Sequence, residues 1–282
     1  MTSLLAEDAR VEQLWTGAEW TEGPLWVPSR RVVLFSDIPN DRVLAYDAAT
    51  GETAVDRQPA GYQNGRTLDA DGSIVHCSHG GRRVEREVDG ALETIADGFD
   101  GVRLNSPNDV VVARDGSVWF TDPPYGIDDS GREGHPGDEE YGGCFVFRLD
   151  PATGDLRPVV TDMEHPNGLA FSRDETVLYV ADTGAPQHVR AYDVTDGGCE
   201  NGRVLLTVPE GAVDGLRVDA ADRLWCSAGD GVHVFSAEGE HLEHVPVPEV
   251  VSNLCFGGDA LDELYITGTT SLYRVRLAAP AL

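Results

Sequence analysis

The chain contains no lysine: all 21 of its basic residues are arginines, set against 49 acidic residues, and the formal net charge is −28 over 282 residues. A surface of that sign repels phosphate backbones, which argues against a nucleic-acid partner. Without lysine there can be no G-x-x-x-x-G-K-[ST] phosphate loop, and no G-x-G-x-x-G follows a strand-like run, so nucleotide cofactors have no support. A G-x-S-x-G elbow is missing too, and no cysteine stands in a recognisable nucleophile context. Any hydrolytic chemistry must therefore use activated water.

Long apolar runs are also absent. Nowhere do 18 apolar residues stand together, and the opening MTSLLAEDARVEQLW has no basic stretch followed by a hydrophobic one. The expectation is a soluble, cytoplasmic protein with no membrane partner, a monomer or small homo-oligomer. Cysteine is sparse and odd in number: Cys77, Cys144, Cys199, Cys226 and Cys255 never form a C-x-x-C pair. They read as small buried hydrophobes in a reducing compartment. The acidity fits either a high-salt cytoplasm or a genome whose codon usage favours arginine.

What the chain does have is turns, from 32 glycines and 16 prolines, and a repeat. Each unit runs from Asn or Asp (Glu once) at a turn into an apolar strand. A polar Asp-x-x-Gly-like turn, a second apolar strand and a polar edge strand follow. Units start at Glu22, Asn64, Asn108, Asn167, Asp214 and Asn253, at intervals of roughly 40 to 60 residues. Short strands rich in Val, Leu, Ile, Tyr and Trp between such turns read as sequential antiparallel hairpins. The spacing predicts an all-β, six-bladed β-propeller occupying residues 1–282 as one domain. The segment VEQLWTG (11–17) should pair with the C-terminal strand SLYRVRL and close the ring. Residues 123–143, PPYGIDDSGREGHPGDEEYGG, form an insertion that reads as a long functional loop.

In a propeller the innermost strand of every blade lines the central channel, so the six starting residues should gather at one mouth. Any one of them alone reads as a turn residue. Six in register make a ring of carboxylates and carboxamides with no basic member, which suits a hard divalent cation and can also hold Zn2+. A bound ion would resolve the repulsion between the two carboxylates.

The segments TEGPLW (21–26), LFSDIPNDRV (34–43), RLNSPNDVVV (103–112), VWFTDPPYG (118–126), PNGLAFS (166–172), LYVADTG (178–184) and DGLRVD (214–219) carry a further likeness. Through them nearly the whole chain resembles the gluconolactonase, regucalcin and luciferin-regenerating-enzyme family of six-bladed propellers, specifically its bacterial gluconolactonase-like branch. The resemblance implies one divalent metal ion, Ca2+ first with Zn2+, Mg2+, Mn2+ or Fe2+ as alternatives. Glu22, Asn167 and Asp214 would be its ligands, and Asn108 a further ligand or substrate contact. Arg103 and Asn105 would contact a small-molecule lactone, whose hydrolysis would use Asp214 as general base. The branch usually reads Glu-His-Gly where this chain has Ser78-His79-Gly80, which puts that glutamate's contact in question and leaves His79 as either a channel or a structural residue. Asp109 and Asp182 are further candidates near the channel, or else capping groups. The same scaffold also suits a metal-dependent phosphotriesterase or a non-catalytic calcium-binding propeller.

Overall fold

In the computed structural model, which describes residues 3–282, the repeat becomes six four-stranded antiparallel sheets. Their innermost strands are Thr21–Val27, Gln63–Leu68, Val110–Val112, Pro166–Phe171, Leu216–Val218 and Val251–Gly257. Each of the first five sheets is built from four consecutive strands, as hairpin-linked repeats require. The sixth takes its outermost strand from the other end of the chain. Glu12–Thr16 pairs antiparallel with Ser271–Arg276, setting Glu12 opposite Arg274 and Thr16 opposite Ser271. The expected closure is therefore observed, and it covers the edge that Ser271–Arg276 would otherwise expose.

The strand sequences follow from position within a blade. A second strand such as Val32–Asp37 (VVLFSD) is buried at every residue because neighbouring blades cover both its faces. The fourth strands, for example Ala91–Ala96, lie at the rim and are largely exposed. The apolar core consists of six wedges, one at each blade–blade interface. Trp26, Phe35 and Tyr46 of the first blade meet Tyr265 and Leu272 of the sixth. Val75 and Val84 of the second meet Phe120 and Phe147 of the third. Four of the five cysteines are buried, Cys199 is half-buried, and all are free thiols. No described helix is long and apolar enough to cross a membrane.

The insertion lies between the second and third strands of the third blade, Val118–Asp122 and Cys144–Asp150. It contains one 3-10 turn, Tyr125–Ile127, and folds back on itself through His135 N–H to Gly126 O (2.9 Å) and Gly137 N–H to Ile127 O (2.9 Å).

Candidate functional site

Four of the six starting residues, Glu22, Asn64, Asn167 and Asp214, are followed by a glycine that makes a close backbone approach at the mouth possible. Gly65 N–H donates to Asn108 O (2.8 Å), Gly168 N–H to Asp214 O (2.8 Å) and Gly215 N–H to Ser252 O (2.7 Å), so adjacent innermost strands are stitched together where they begin. That approach leaves no room for a side chain. A Cβ on Gly168 would stand 2.3 Å from Asp214 O, and one on Gly23, whose φ is +52°, would stand 2.0 Å from Asn64 O. The Asn-Gly, Glu-Gly and Asp-Gly pairs thus serve close packing around the axis, beyond making a turn.

The stitching brings Glu22, Asn64, Asn108, Asn167 and Asp214 to one cavity of about 220 Å3, together with Trp20, Tyr125, Glu133 and Thr183. All four expected ligand positions therefore converge. Asn253, the sixth starting residue, sits behind this surface and donates from Nδ2 to Glu22 Oε2 (3.0 Å). The Gly23 amide also donates to Oε2, whereas Glu22 Oε1 is buried with no partner, as is Asn64 Oδ1.

The electrostatics are those of two confined acids whose repulsion the nearby arginines offset only in part. Burial and the nearby Asp109 push Glu22 up to about 7. Burial and then Glu22, Glu133 and Asp109 push Asp214 well above the usual carboxylate range. Unpartnered acidic and amide oxygens on a carboxylate-rich surface fit a hard divalent ion, which would supply both the missing partner and the missing charge. The residues present fit the metal expected of them.

His79 is fully buried behind the mouth. Its Nε2 lies 3.3 Å from Asn64 Nδ2 and 3.4 Å from Asn108 Nδ2. Burial lowers its pKa to about 4, so at neutral pH an uncharged Nε2 accepts from both carboxamides and turns their oxygens toward the cavity. His79 is a positioning residue. Ser78 has a different task, donating to Gly61 O (2.7 Å) and accepting from Gly81 N–H (3.1 Å), both in the backbone around it.

Two of the expected substrate contacts lie away from the cavity wall. Arg103 and Asn105 do not line the cavity. The Arg103 side chain is 64% exposed and pairs with Glu140 of the insertion at 2.9 Å, drawn there by charge. Asn105 is fully buried, but its Nδ2 is committed to Asp122 O (3.1 Å), Gly143 O (2.9 Å) and Tyr141 Oη (3.0 Å), at the root of the same loop. Both residues fasten the loop. Asp109 lies below the mouth, 3.2 Å from Arg217. Asp182 is a cap, accepting from the amides of Glu164, His165 and Gly184.

Residues 20–270 match the family profile described as the SMP-30/Gluconolactonase/LRE-like region. The chain belongs to that family. It is 30% identical to the gluconolactonase of Zymomonas mobilis, the match covering 98% of this chain and 83% of that protein. It is 32% identical to the pentonolactonase XacC of Haloferax volcanii, over 89% and 82% of the two chains. Among solved structures, the gluconolactonase of Xanthomonas campestris superposes with a TM-score of 0.92 at 39% identity, over 97% and 91%.

Four cavity residues escape sequence reasoning. Trp20 adjoins the recognised segment TEGPLW and Thr183 lies within LYVADTG, but neither carries a chemical signature of its own. Tyr125 and Glu133 belong to the insertion, which was legible as a functional loop while its inward-facing members were not. Tyr125 is held by a hydroxyl–hydroxyl bond to Thr183. Burial and the nearby Asp128 raise Glu133 to about 7, and it lies beside Asp214 and 3.8 Å from His79 Nδ1.

Proposed function

We propose that the protein hydrolyses a small sugar lactone to its hydroxy acid at this cavity. A divalent metal ion, Ca2+ in the first instance, would be held by Glu22, Asn167 and Asp214 with Asn108 beside them. The observation that carries the reading is the pair of buried, proton-retaining acids, Glu22 and Asp214, facing one cavity whose amide and carboxylate oxygens lack partners. Hydrolysis of a cyclic ester is also the activity in the names of the Zymomonas, Haloferax and Xanthomonas relatives. They include a hexono- and a pentonolactonase, so the substrate class is an aldonolactone.

Bound at the mouth, the ion supplies Lewis-acid polarisation of the ester carbonyl and a counter-charge for the oxygen that becomes anionic. The protein's own groups do the rest. Asp214 accepts a proton from the water that attacks the acyl carbon. Glu133, whose pKa of about 7 lets it exist in both forms near neutrality, suits return of a proton to the departing ring oxygen. Asn64 and Asn108, oriented by His79, hold substrate and ion in place. The cavity, smaller than the roughly 300–1,000 Å3 typical of drug-sized ligands, suits a monosaccharide-sized ring. The unpaired, mostly buried thiols support a reducing compartment such as the cytoplasm.

The test is metal analysis of gently purified protein, followed by chelation and add-back in a pH-stat assay. Aldonolactones and one phosphotriester are the substrates. Lactone turnover should vanish with the metal and return with it, with the phosphotriester left essentially unhydrolysed. Tight metal binding without turnover on a broad lactone panel would overturn the reading. Asp214→Asn should lower kcat by about 10² to 10⁴, and retention of more than half the activity at full metal occupancy would remove Asp214 from the role of base.

A further inference from the structure

A second group of donor atoms lies away from the channel, on the outer half of the fifth blade. Asp230, His233 and His244 each offer one ligand atom, and these atoms lie within 4.8 Å of one another. One hairpin rung assembles them. The third and fourth strands of the blade, Gly231–Phe235 and His241–Pro246, run antiparallel with His233 directly opposite His244. Facing residues of an antiparallel pair project from the same side of the sheet. The two imidazoles accordingly lie parallel, with centroids 4.2 Å apart and 10° between their planes.

Asp230, in the turn before the third strand, faces both rings. Its Oδ1 is 3.0 Å from His233 Nε2, and its Oδ2 is 3.5 Å from His244 Nε2. The ring behind matters as much. Asp230 Oδ1 accepts from His233 Nε2–H, and His233 Nδ1 lies 2.9 Å from His241 Nε2, so an ion that displaces the Nε2 proton leaves a ring whose Nδ1–H has His241 as acceptor. A hydrogen bond from the second ring nitrogen is the arrangement that fixes tautomer and orientation in metal-binding histidines. His233 is almost fully buried, at 4% exposure, while Asp230 and His244 are about one-third exposed (36% and 34%). The site thus has one rigid, pre-oriented ligand and an open side through which an ion can enter.

We propose that Asp230, His233 and His244 form a second metal site, selective for a borderline divalent transition ion such as Zn2+. Two imidazoles and a carboxylate favour such an ion, whereas the carboxylate and carboxamide set at the channel mouth favours hard cations. Three protein donors leave a further coordination position for water. The site does not depend on the reaction proposed for the channel, and its occupancy and lactone turnover are separable measurements.

The experiment is equilibrium dialysis of the full, tag-free chain against Zn2+, with Co2+ absorption as a spectroscopic report of nitrogen ligation. The parent protein is compared with His233→Ala, His244→Gln and His241→Phe. His244→Gln, at an exposed position, should lose one equivalent of bound Zn2+ and the corresponding Co2+ bands while lactone turnover stays at the parent level. His233→Ala should do the same. His241→Phe, which removes the supporting ring and leaves all three ligands, should weaken binding roughly 10- to 100-fold. Unchanged Zn2+ stoichiometry and affinity in a folded His244→Gln protein would overturn the proposal. So would a Co2+ spectrum that is the same in the parent and this variant, since a plain ion pair between the histidines and Asp230 retains no metal.

Discussion

His79 Nε2 faces the Nδ2 groups of two carboxamides, and burial keeps the ring uncharged, so with its proton on Nδ1 that nitrogen accepts from both. Replacing it with leucine would strand the Nδ2 groups of Asn64 and Asn108, at a cost of about 1–3 kcal/mol for each buried group left unpaired. His79→Leu should therefore melt lower and bind the channel ion less tightly, with His79→Gln recovering part of both because its Oε1 can still accept. Thermal melts and calorimetric titrations of the two variants check this, and a leucine variant equal to the parent would refute the positioning role. Protons and metal also compete for Glu22 and Asp214. Both carboxyls are raised in the fold, Glu22 to about 7, so below neutrality Glu22 holds a proton that an arriving ion must displace, and the raised Asp214 adds to the competition. Apparent metal affinity should fall roughly tenfold per pH unit for each proton displaced, with proton release visible as a buffer-dependent heat. The sign for stability follows from the same shifts. A carboxyl raised in the folded state supports folding fully below its unfolded value, 4.5 for Glu22, and that support is lost as pH rises through about 7. Chelated protein should melt lower at mildly alkaline than at mildly acidic pH, and added ion should reverse the difference. Equal melting temperatures at both pH values would contradict it.

At the scale of single elements, the ends of the second strands share a device. Asp37, Asp122 and Asp182 occupy equivalent positions and accept amides of the segments leading into their blades: Glu19 N–H on Asp37 (3.0 Å), Asn105 N–H on Asp122 (2.8 Å) and His165 N–H on Asp182 (2.9 Å). Ser78 fills the corresponding place in the second blade, opposite Gln63 as Asp37 is opposite Thr21. The departure from the family's Glu-His-Gly at this position therefore changes a backbone brace, and the cavity lining is untouched. The insertion is the other element with a task of its own. Glu140 pairs with both Arg82 (3.3 Å) and Arg103 (2.9 Å), which fixes its root, while Tyr125 and Glu133 reach the cavity. Replacing residues 129–137 with a short Gly/Ser linker should leave the melting temperature nearly unchanged, because the six core wedges draw nothing from that segment. The same change should reduce kcat/KM by roughly 10² through lost positioning and water exclusion. Steady-state kinetics beside a thermal melt separate these effects, and an unaltered kcat/KM would show that the loop only covers the mouth.

For the whole molecule, the ring stands or falls on its seam. The N-terminal strand is only partly buried, yet Leu14 and Trp15 pack on the wedge between the first and sixth blades, with the Trp15 and Phe35 rings edge-to-face at 5.6 Å. Removing residues 1–16 would strip that packing, worth about 2 kcal/mol or more, break the Glu12–Arg274 pair (2.7 Å), and expose Ser271–Arg276 as a free sheet edge. The truncated chain should melt at lower temperature and self-associate in light scattering. The intact chain should unfold in one calorimetric transition, since every blade shares a wedge with two neighbours, and two separated transitions in the intact chain would refute that coupling.

The sequence by itself determined the architecture and the ring residues. Both are written as a period: strand, turn, strand, with an Asn, Asp or Glu at the start of each unit, followed by Gly in four of the six, and a period survives without knowing any distance. It could not decide which polar side chains of the non-repeating segments face inward. Arg103 and Asn105 look like substrate contacts beside Asn108, but the pull of Glu140 and the backbone carbonyls of Asp122 and Gly143 turn them to hold the loop. Tyr125 sits in the VWFTDPPYG segment without any sign of its role and Glu133 has no pattern to mark it, and only the fold of the insertion across the mouth brings them beside Asp214. His233 and His244 are eleven residues apart in the chain, and strand register alone sets them face to face. Local spacing fixes what repeats. Contacts between distant segments fix what does not, because they depend on competition among partners that only the closed ring assembles.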